Sequence, residues 1–594
     1  MIVIGIYDDH NASAALSIDG DIVCAVQEER FTKRKNENGF PKNAVKYILR
    51  KYNLNNSNID VVALSTIERT VVDDYKYPVH VVFSVADHLD MMERYWKPKL
   101  SDGAYPKDYI KEVFDKKYSD EESFFDVPDY FYDLSLEERQ SSITEVVVDA
   151  TSSYMGVDKN KVKFYDHHTC HIMYGYFANR NRKEKTIGVT VDSHGDGKNQ
   201  TVWTIKDDQF ELISESSQCE IARLYRMVTL YLGMKPLEHE FKVMGLAPYA
   251  KKEYVEEVVR ELEDLLQFDG LNIVHKNRPN DLFGFLSERL KYYRFDNIAG
   301  GVQKYTEDML VELFKRCYEK TGIRNFVFSG GVAMNVKANK VIGELDFVDN
   351  LFVAGSSSDE SQSIGACYYV NYLMGVKSKP LESLYLGNEI GTNEVREYIE
   401  TKKLKDKYGI SIASNEQIAE LLAQGEIIAR VVGRMEFGAR ALGNRSILAN
   451  PSDQSAVKRI NEMIKGRDFW MPFAATVMDT FADRYLVNPK KHESRFMAIA
   501  METNAEHLAE IKAGTHPYDE SIRPQVLRRE ENEIYYDLID RFSRKTGIGA
   551  LLNTSCNLHG FPMVSTKEDA LHVFENSELN YLVLNEYLIQ KVPD

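Results

Sequence analysis

Short apolar runs that stop at acidic turns set the pattern of the first part of the chain. Ile2–Tyr7 reads as a buried strand and ends at Asp8, Asp9 and His10. Two further runs, Ala14–Ile18 and Ile22–Gln27, flank Asp19-Gly20, and an Asp-Gly pair between apolar runs predicts a hairpin. The same order recurs as Ile187–Val191, then Asp192, then the turn Gly195-Asp196-Gly197, then the strand Thr201–Ile205. A strand that delivers an aspartate into a tight turn and returns as a hairpin is written twice. This predicts a duplicated, two-lobed α/β fold with a nucleotide or metal cleft.

Two later segments add to that cleft. Phe326–Phe328 runs into Ser329-Gly330-Gly331-Val332-Ala333-Met334-Asn335, ahead of a helix. Glycines there let backbone N–H groups approach a phosphate, and a helix N-terminus favours an anion. The strand Leu351–Ala354 leads into Ser356-Ser357-Ser358-Asp359-Glu360 and a helical run from Gln362. Gly375, Lys377, Lys379 and Pro380 then break a tyrosine-rich helix, which predicts a boundary between a domain of residues 1–376 and one of residues 377–594. Length agrees, since 594 residues exceed what one core usually supports. Residues 75–145 are rich in aromatics, with eight acidic residues and no Lys or Arg between Ser119 and Glu138. They read as an insertion in the first domain, either a solvated surface or a place to hold substrate.

A net charge of −17 argues against a surface built for nucleic acid or anionic lipid, but leaves room for a local basic pocket. Six dispersed cysteines without a Cys-x-x-Cys pair predict reduced thiols. Neither a signal peptide nor an apolar span of roughly 20 residues is in the pattern, so a soluble cytoplasmic protein is expected. A symmetric homodimer is the default expectation for its assembly.

Candidate chemistry concentrates in two places. In Asp166-His167-His168-Thr169-Cys170-His171, the two outer histidines are four apart and share one face of a helix. With Asp359, His167 and His171 make a two-histidine, one-carboxylate set suited to Fe(II), with zinc or manganese as alternatives. His10, beside Asp8, is placed either as a general base, with a pKa near neutrality, or as a turn cap. Lys242, in Glu240–Tyr249, either reaches a phosphate or pairs with Glu240. In the last third, the strand Ile427–Val432 leads into Gly433–Ile447, which carries Arg434, Arg440 and Arg445. Lys465-Gly466-Arg467 and Arg523 follow, and then Asn553-Thr554-Ser555 after the apolar Ile548–Leu552. Cations interleaved with apolar strands in so acidic a chain predict an oligophosphate or acyl-phosphate pocket.

Taken in order over almost the whole chain, these motifs resemble the O-carbamoyltransferases that modify antibiotics, cephems and nodulation factors. The resemblance implies an actin-like N-terminal domain (a duplicated ribonuclease-H-like unit), similar to the transferase subunit of tRNA threonylcarbamoylation. It implies a twisted-sheet α/β YrdC-like domain at the C-terminus. The second domain would make carbamoyl-adenylate from ATP, with Mg2+, and carbamoyl phosphate. The first, holding Fe2+ or another divalent metal, would pass the carbamoyl group to a hydroxyl of a small-molecule acceptor, with no nucleic acid or membrane involved. Carried over, His167, His171 and Asp359 are metal ligands, and His10 is the base with Asp8 beside it. Arg440, Arg445, Lys465, Arg467, Arg523, Asn553 and Ser555 hold ATP and carbamoyl phosphate. Asp192, Gly195, Lys242, Gly330, Gly331 and Asn335 line the nucleotide or intermediate site of the first domain.

Three positions depart from the family pattern: Asn11 where aspartate follows the histidine in many relatives, Cys556 where an aromatic is usual, and Ala475 where proline is common. Neighbouring families fit less well. Hydrogenase-maturing carbamoyltransferases carry an acylphosphatase domain and paired zinc cysteines ahead of similar domains. A tRNA-threonylcarbamoyl enzyme, the alternative reading, calls for a basic surface.

Overall fold

In the computed structural model, the repeat written in the sequence becomes two sheets of one design. Residues 1–68, 83–103, 109, 112, 113, 124, 125 and 134–592 are described, and most of the expected insertion at 75–145 lies outside them. In the first sheet, β1 (Ile2–Tyr7) pairs antiparallel with β2 (Ser13–Ile18), and β2 antiparallel with β3 (Asp21–Gln27). On its other side β1 runs parallel to β4 (Val61–Ser65), which runs parallel to β5 (Val162–Tyr165).

In the second sheet, β6 (Lys185–Gly195), β7 (Lys198–Lys206) and β8 (Gln209–Ser216) form the antiparallel meander. A small hairpin of β9 (Leu266–Asp269) and β10 (Asn272–His275) forms a separate pair packed against β8. On its far side β6 runs parallel to β11 (Asn325–Ser329), and β11 to β12 (Asn350–Val353). The order 3-2-1-4-5 is thus repeated as 8-7-6-11-12.

The helix His167–Phe177 packs on β6 and β11, the helix Gln362–Leu373 packs on β1, β2 and β4, and the two helices pack on each other. Between two sheets there is no solvent face to leave polar, so His167–Phe177 is buried at every residue. One expectation shifts here. Asp192 lies on β6 rather than in a turn beyond it, because β6 runs on to Gly195 through a slip in its pairing with β7 after Val191. The reversal falls on Asp196 and Gly197, at φ 49° and 74°.

By packing, the chain divides into two units: Met1–Glu28, Asn36–Val353 and Ser357–Pro380 form the first, and Glu29–Lys35, Ala354–Ser356 and Leu381–Asp594 the second. The second is built on one sheet whose strands are β13 (Tyr408–Ile412), β14 (Ile428–Val431), β15 (Arg445–Ala449), β16 (Ala474–Met478), β19 (Gln525–Leu527), β20 (Ala550–Ser555), β21 (Tyr581–Leu584) and β22 (Tyr587–Lys591). Their order is 13-22-21-14-15-20-16-19, with β17 (Leu486–Val487) and β18 (Glu502–Thr503) paired separately. Its faces alternate as a strand requires: Ile427, Ala429 and Val431 join one core with Val395, Ile399 and Phe574, while Ile428 joins another with Leu422, Ile539 and Phe542. Asn553 and Ser555 lie inside β20 rather than after it.

All six cysteines are buried and unbridged. No helix among the described residues is long and apolar enough to cross a membrane.

Candidate active site

Asp166 organises the first site. Its Oδ1 accepts the Thr169 backbone N–H at 2.7 Å and caps the helix, while its Oδ2 meets Lys198 Nζ at 2.9 Å. The helix therefore starts at His167, and His171 follows one turn later on the same face. That face meets Asp192 of β6 and Asp359 of the turn before Gln362. His171 Nε2 stands 3.3 Å from both Asp192 Oδ2 and Asp359 Oδ1, and His167 Nε2 stands 3.6 Å from Asp359 Oδ1. One ligand atom from each of His167, His171, Asp192 and Asp359 lies within 4.8 Å of every other. Ligands on opposite sides of one ion, each about 2.1 Å away, stand about 4.2 Å apart. After small side-chain shifts the four groups could hold a single cation.

The charge balance agrees. No hydrogen bond among the described residues reaches His167 Nε2, His171 Nε2 or Asp359 Oδ1, although all three are buried. Burial, with the neighbouring Asp192, pushes the Asp359 carboxyl up to about 7. Burial also opposes charge on His171, yet the Asp192 and Asp359 carboxylates outweigh it and hold the imidazole up at about 9. Burial and the neighbouring His171 and His168 push His167 well down. Two carboxylates facing two imidazoles in a buried setting are a donor set that could hold a divalent cation in place of the proton on His171.

Three of the four candidate ligands have further hydrogen-bonding partners. Tyr7 Oη donates to Asp359 Oδ2 at 3.1 Å, and Thr66 Oγ1 lies 3.3 Å from His167 Nδ1. The backbone N–H groups of Ser193 and Gly331 each donate to Asp192 at 2.5 Å. Gly195 lies directly against the His167 ring.

The glycine turn has a different task from the one its sequence suggests. Gly330 N–H donates to Ser357 O at 3.1 Å and Gly331 N–H to Asp192 Oδ2, so these two amides brace the acidic turn and the aspartate rather than face a phosphate. Gly330 has φ 95°, and a Cβ on it would stand 2.4 Å from Val191 O. Asn335 caps the helix Val336–Glu344 through Ala338 N–H (3.0 Å) and pairs with Gln303 in both directions. Lys242 sits half-buried on the helix Glu240–Leu246.

His10 lies three residues past the end of β1, and Asp8, the first residue after that strand, is buried. Burial and the nearby Arg226 push the His10 imidazole down to about 4, while Asp192 acts in the opposite direction. Asn11 adopts φ 67°, donating to Glu360 Oε2 at 2.7 Å and accepting from Gln27 Nε2 at 2.9 Å. The sequence patterns did not single out Tyr7, and they placed Asp192 with the nucleotide-binding residues rather than beside the metal ligands. No spacing rule points at Tyr7, because its partner comes from the far end of the same unit.

In the second unit, Arg440, Arg467 and Arg523 come together. Burial and then the neighbouring Arg440 push Arg467 down to about 10. Burial, Arg440 and Arg467 push Arg523 well below its ordinary value. No hydrogen bond among the described residues reaches the buried Arg523 Nε. Guanidinium groups crowded against one another in this way match an anion with several oxygens.

Arg445 uses its terminal nitrogens on backbone carbonyls, while no hydrogen bond among the described residues reaches its buried Nε. It is fully buried, and it donates to Val432 O (2.7 Å), Asn444 O (2.9 Å) and Gly433 O (3.0 Å). Glu436 Oε1 beside it accepts the N–H groups of Leu442, Asn444 and Arg445 at 2.7, 2.8 and 3.1 Å. This pair shapes the loop that presents Arg440. Asn553 Nδ2 binds Ala441 O (3.1 Å) and Thr476 Oγ1 (3.0 Å), bracing the same loop, and Ser555 Oγ donates to Asn557 Oδ1 at 2.7 Å. Lys465 closes the turn Asn461–Lys465, and its side chain lies outside the described residues.

Residues 2–368 match the family model described as carbamoyltransferase N-terminus, and residues 419–591 the one described as carbamoyltransferase C-terminus. An uncharacterized protein of Methanocaldococcus jannaschii is 28% identical over 604 residues, spanning 100% of both chains. Nodulation protein NolNO of Sinorhizobium fredii is 27% identical over 98% of this chain and 79% of its own. The 3'-hydroxymethylcephem-O-carbamoyltransferase of Amycolatopsis lactamdurans is 27% identical over 44% of this chain and 48% of its own. With both models matched in order over most of its length, this chain belongs to the carbamoyltransferase family and is a carbamoyl-transferring enzyme.

Proposed function

We propose that this enzyme is an ATP-dependent O-carbamoyltransferase whose two half-reactions occur in different units. Carbamoyl-adenylate forms in the second unit, and the carbamoyl group reaches a hydroxyl of a small-molecule acceptor in the first. This reading takes residues 1–376 as an actin-like, duplicated ribonuclease-H-like domain and residues 377–594 as a YrdC-like domain. The observation that carries it is the convergence of His167, His171, Asp192 and Asp359 on one point in a chain of this family. The name of the cephem O-carbamoyltransferase supports a hydroxyl as acceptor.

In the second unit, Arg440, Arg467 and Arg523 bind phosphate oxygens of ATP, with its Mg2+, and of carbamoyl phosphate. Water displaces phosphate from carbamoyl phosphate to leave carbamate. A carbamate oxygen then attacks the α-phosphorus of ATP, and pyrophosphate departs. In the first unit, His10 takes the proton of the acceptor hydroxyl as that oxygen bonds to the carbamoyl carbon, and AMP leaves. Burial and Arg226 keep the His10 imidazole in its neutral form in the neutral range, the form a general base must start from. His167, His171, Asp192 and Asp359 would hold a divalent cation (Fe2+ on the family resemblance), which would supply Lewis acidity toward the carbamoyl group.

The test is to mix the protein with ATP and carbamoyl phosphate without acceptor and follow pyrophosphate. No carbamoyl-phosphate-dependent release would sink the reading. Release that depends instead on threonine and bicarbonate would turn it toward tRNA threonylcarbamoylation.

A further inference from the structure

Tyr7 ends β1 where that strand reaches the histidine pair. It is 3% exposed, and its ring stands edge-on to that of His167 with centroids 6.2 Å apart. Its hydroxyl donates to Asp359 Oδ2 at 3.1 Å. The other oxygen of the same carboxylate, Oδ1, is the one that faces His167 Nε2 at 3.6 Å and His171 Nε2 at 3.3 Å.

The two oxygens of Asp359 are therefore divided between two tasks. A carboxylate on a short turn rotates about its side-chain bonds, and the carboxyl torsion is especially broad. Left alone, Asp359 can swing Oδ1 away from the histidines, or turn both oxygens toward Asp192, whose charge repels it. A donor fixed by a buried strand end removes that freedom from the side opposite the histidines.

We propose that Tyr7 is a positioning residue that aims Asp359 Oδ1 at the His167–His171 pair and thereby sets the cation affinity and geometry of the site. The inference rests on the metal-site reading given above. Tyr7 acts through Asp359 and is not itself a ligand.

Tyr7→Phe deletes the hydroxyl and keeps the ring. The experiment measures Co2+ binding to the full chain, by competition with a chromophoric chelator and by visible absorption, for wild type, Tyr7→Phe, Asp359→Ala and the double variant. Loss of a group that orients a metal ligand costs about 10–100-fold in affinity, and that is the expected effect of Tyr7→Phe, with a changed Co2+ spectrum. On the Asp359→Ala background the same substitution should add nothing, since residues acting as a unit are not additive. That background also keeps the test readable if Tyr7→Phe costs stability, because a stability effect persists there and a positioning effect vanishes. Unchanged affinity and spectrum in Tyr7→Phe overturn the inference, as does an equal loss on both backgrounds. A tyrosinate-to-iron absorption band in the Fe(III)-loaded wild type, absent from Tyr7→Phe, would make Tyr7 a ligand and also overturn it. If the wild type binds no Co2+, the metal-site reading falls and takes this inference with it.

Discussion

Gly195 lies so close to the His167 ring that a Cβ on it would stand 2.2 Å from Cδ2 and 2.8 Å from Nε2. The end of β6 and the first turn of the buried helix thus fit together only without a side chain at this position. Gly195→Ala must push the imidazole aside or bend the strand. An overpacked site of this kind costs about 1–3 kcal/mol, readable by chemical denaturation. Co2+ affinity should fall in parallel. A loss of stability with cation binding intact would show that His167 is not a ligand.

His167→Ala separates the half-reactions. Pyrophosphate release from ATP and carbamoyl phosphate should continue, because Arg440, Arg467 and Arg523 belong to the second unit. Transfer to an acceptor, followed as the mass increase of a carbamoyl group, should stop. Loss of both activities in a folded variant would refute the assignment of transfer to the first unit.

Arg523 is crowded by two other arginines, so its removal should affect binding and stability in opposite directions. Arg523→Met is expected to raise KM for carbamoyl phosphate or ATP by about 10–150-fold, the equivalent of losing a charge-assisted hydrogen bond worth about 1.5–3 kcal/mol. The thermal midpoint of the ligand-free protein should hold or rise, because burial and like charges already oppose a cation there. A lowered midpoint with unchanged kinetics would mark Arg523 as a structural residue instead.

His10 should titrate far below an ordinary histidine. Burial and Arg226 push its pKa down to about 4, so its ring is neutral above that pH and takes up a proton only as pH falls through it. Histidine-labelled NMR, assigned with His10→Gln, should show no titration of this ring between about pH 5 and 8, where an unperturbed imidazole with a pKa of about 6.5 changes charge. A midpoint near 6.5 would contradict the buried setting. His10→Gln should abolish transfer and leave pyrophosphate formation intact.

Local geometry was legible in the sequence because it depends on near neighbours. Short apolar runs and the Asp19-Gly20 turn located β1, β2 and β3, and the repeated strand–aspartate–turn–strand unit pointed to a second lobe; the shared strand order of the two sheets came from the structure. The four-residue spacing placed His167 and His171 on one helical face, while the capping role of Asp166 at the start of that helix emerged only in the structure. Glycines and arginines likewise marked the loops that carry charge, but not what each one does. Gly331 was read as a phosphate contact, yet its amide holds Asp192, and Arg445 was read with the phosphate-binding residues, yet its terminal nitrogens hold backbone carbonyls. Asp192 joined the candidate ligands, and Tyr7 took its place behind Asp359, only once β1, β6 and the turn after β12 had been brought to the same two helices. Which of several like residues becomes a ligand, a brace or an anion contact depends on partners far away along the chain. Those partners are chosen by the packing of sheets and helices, which no sequence spacing records.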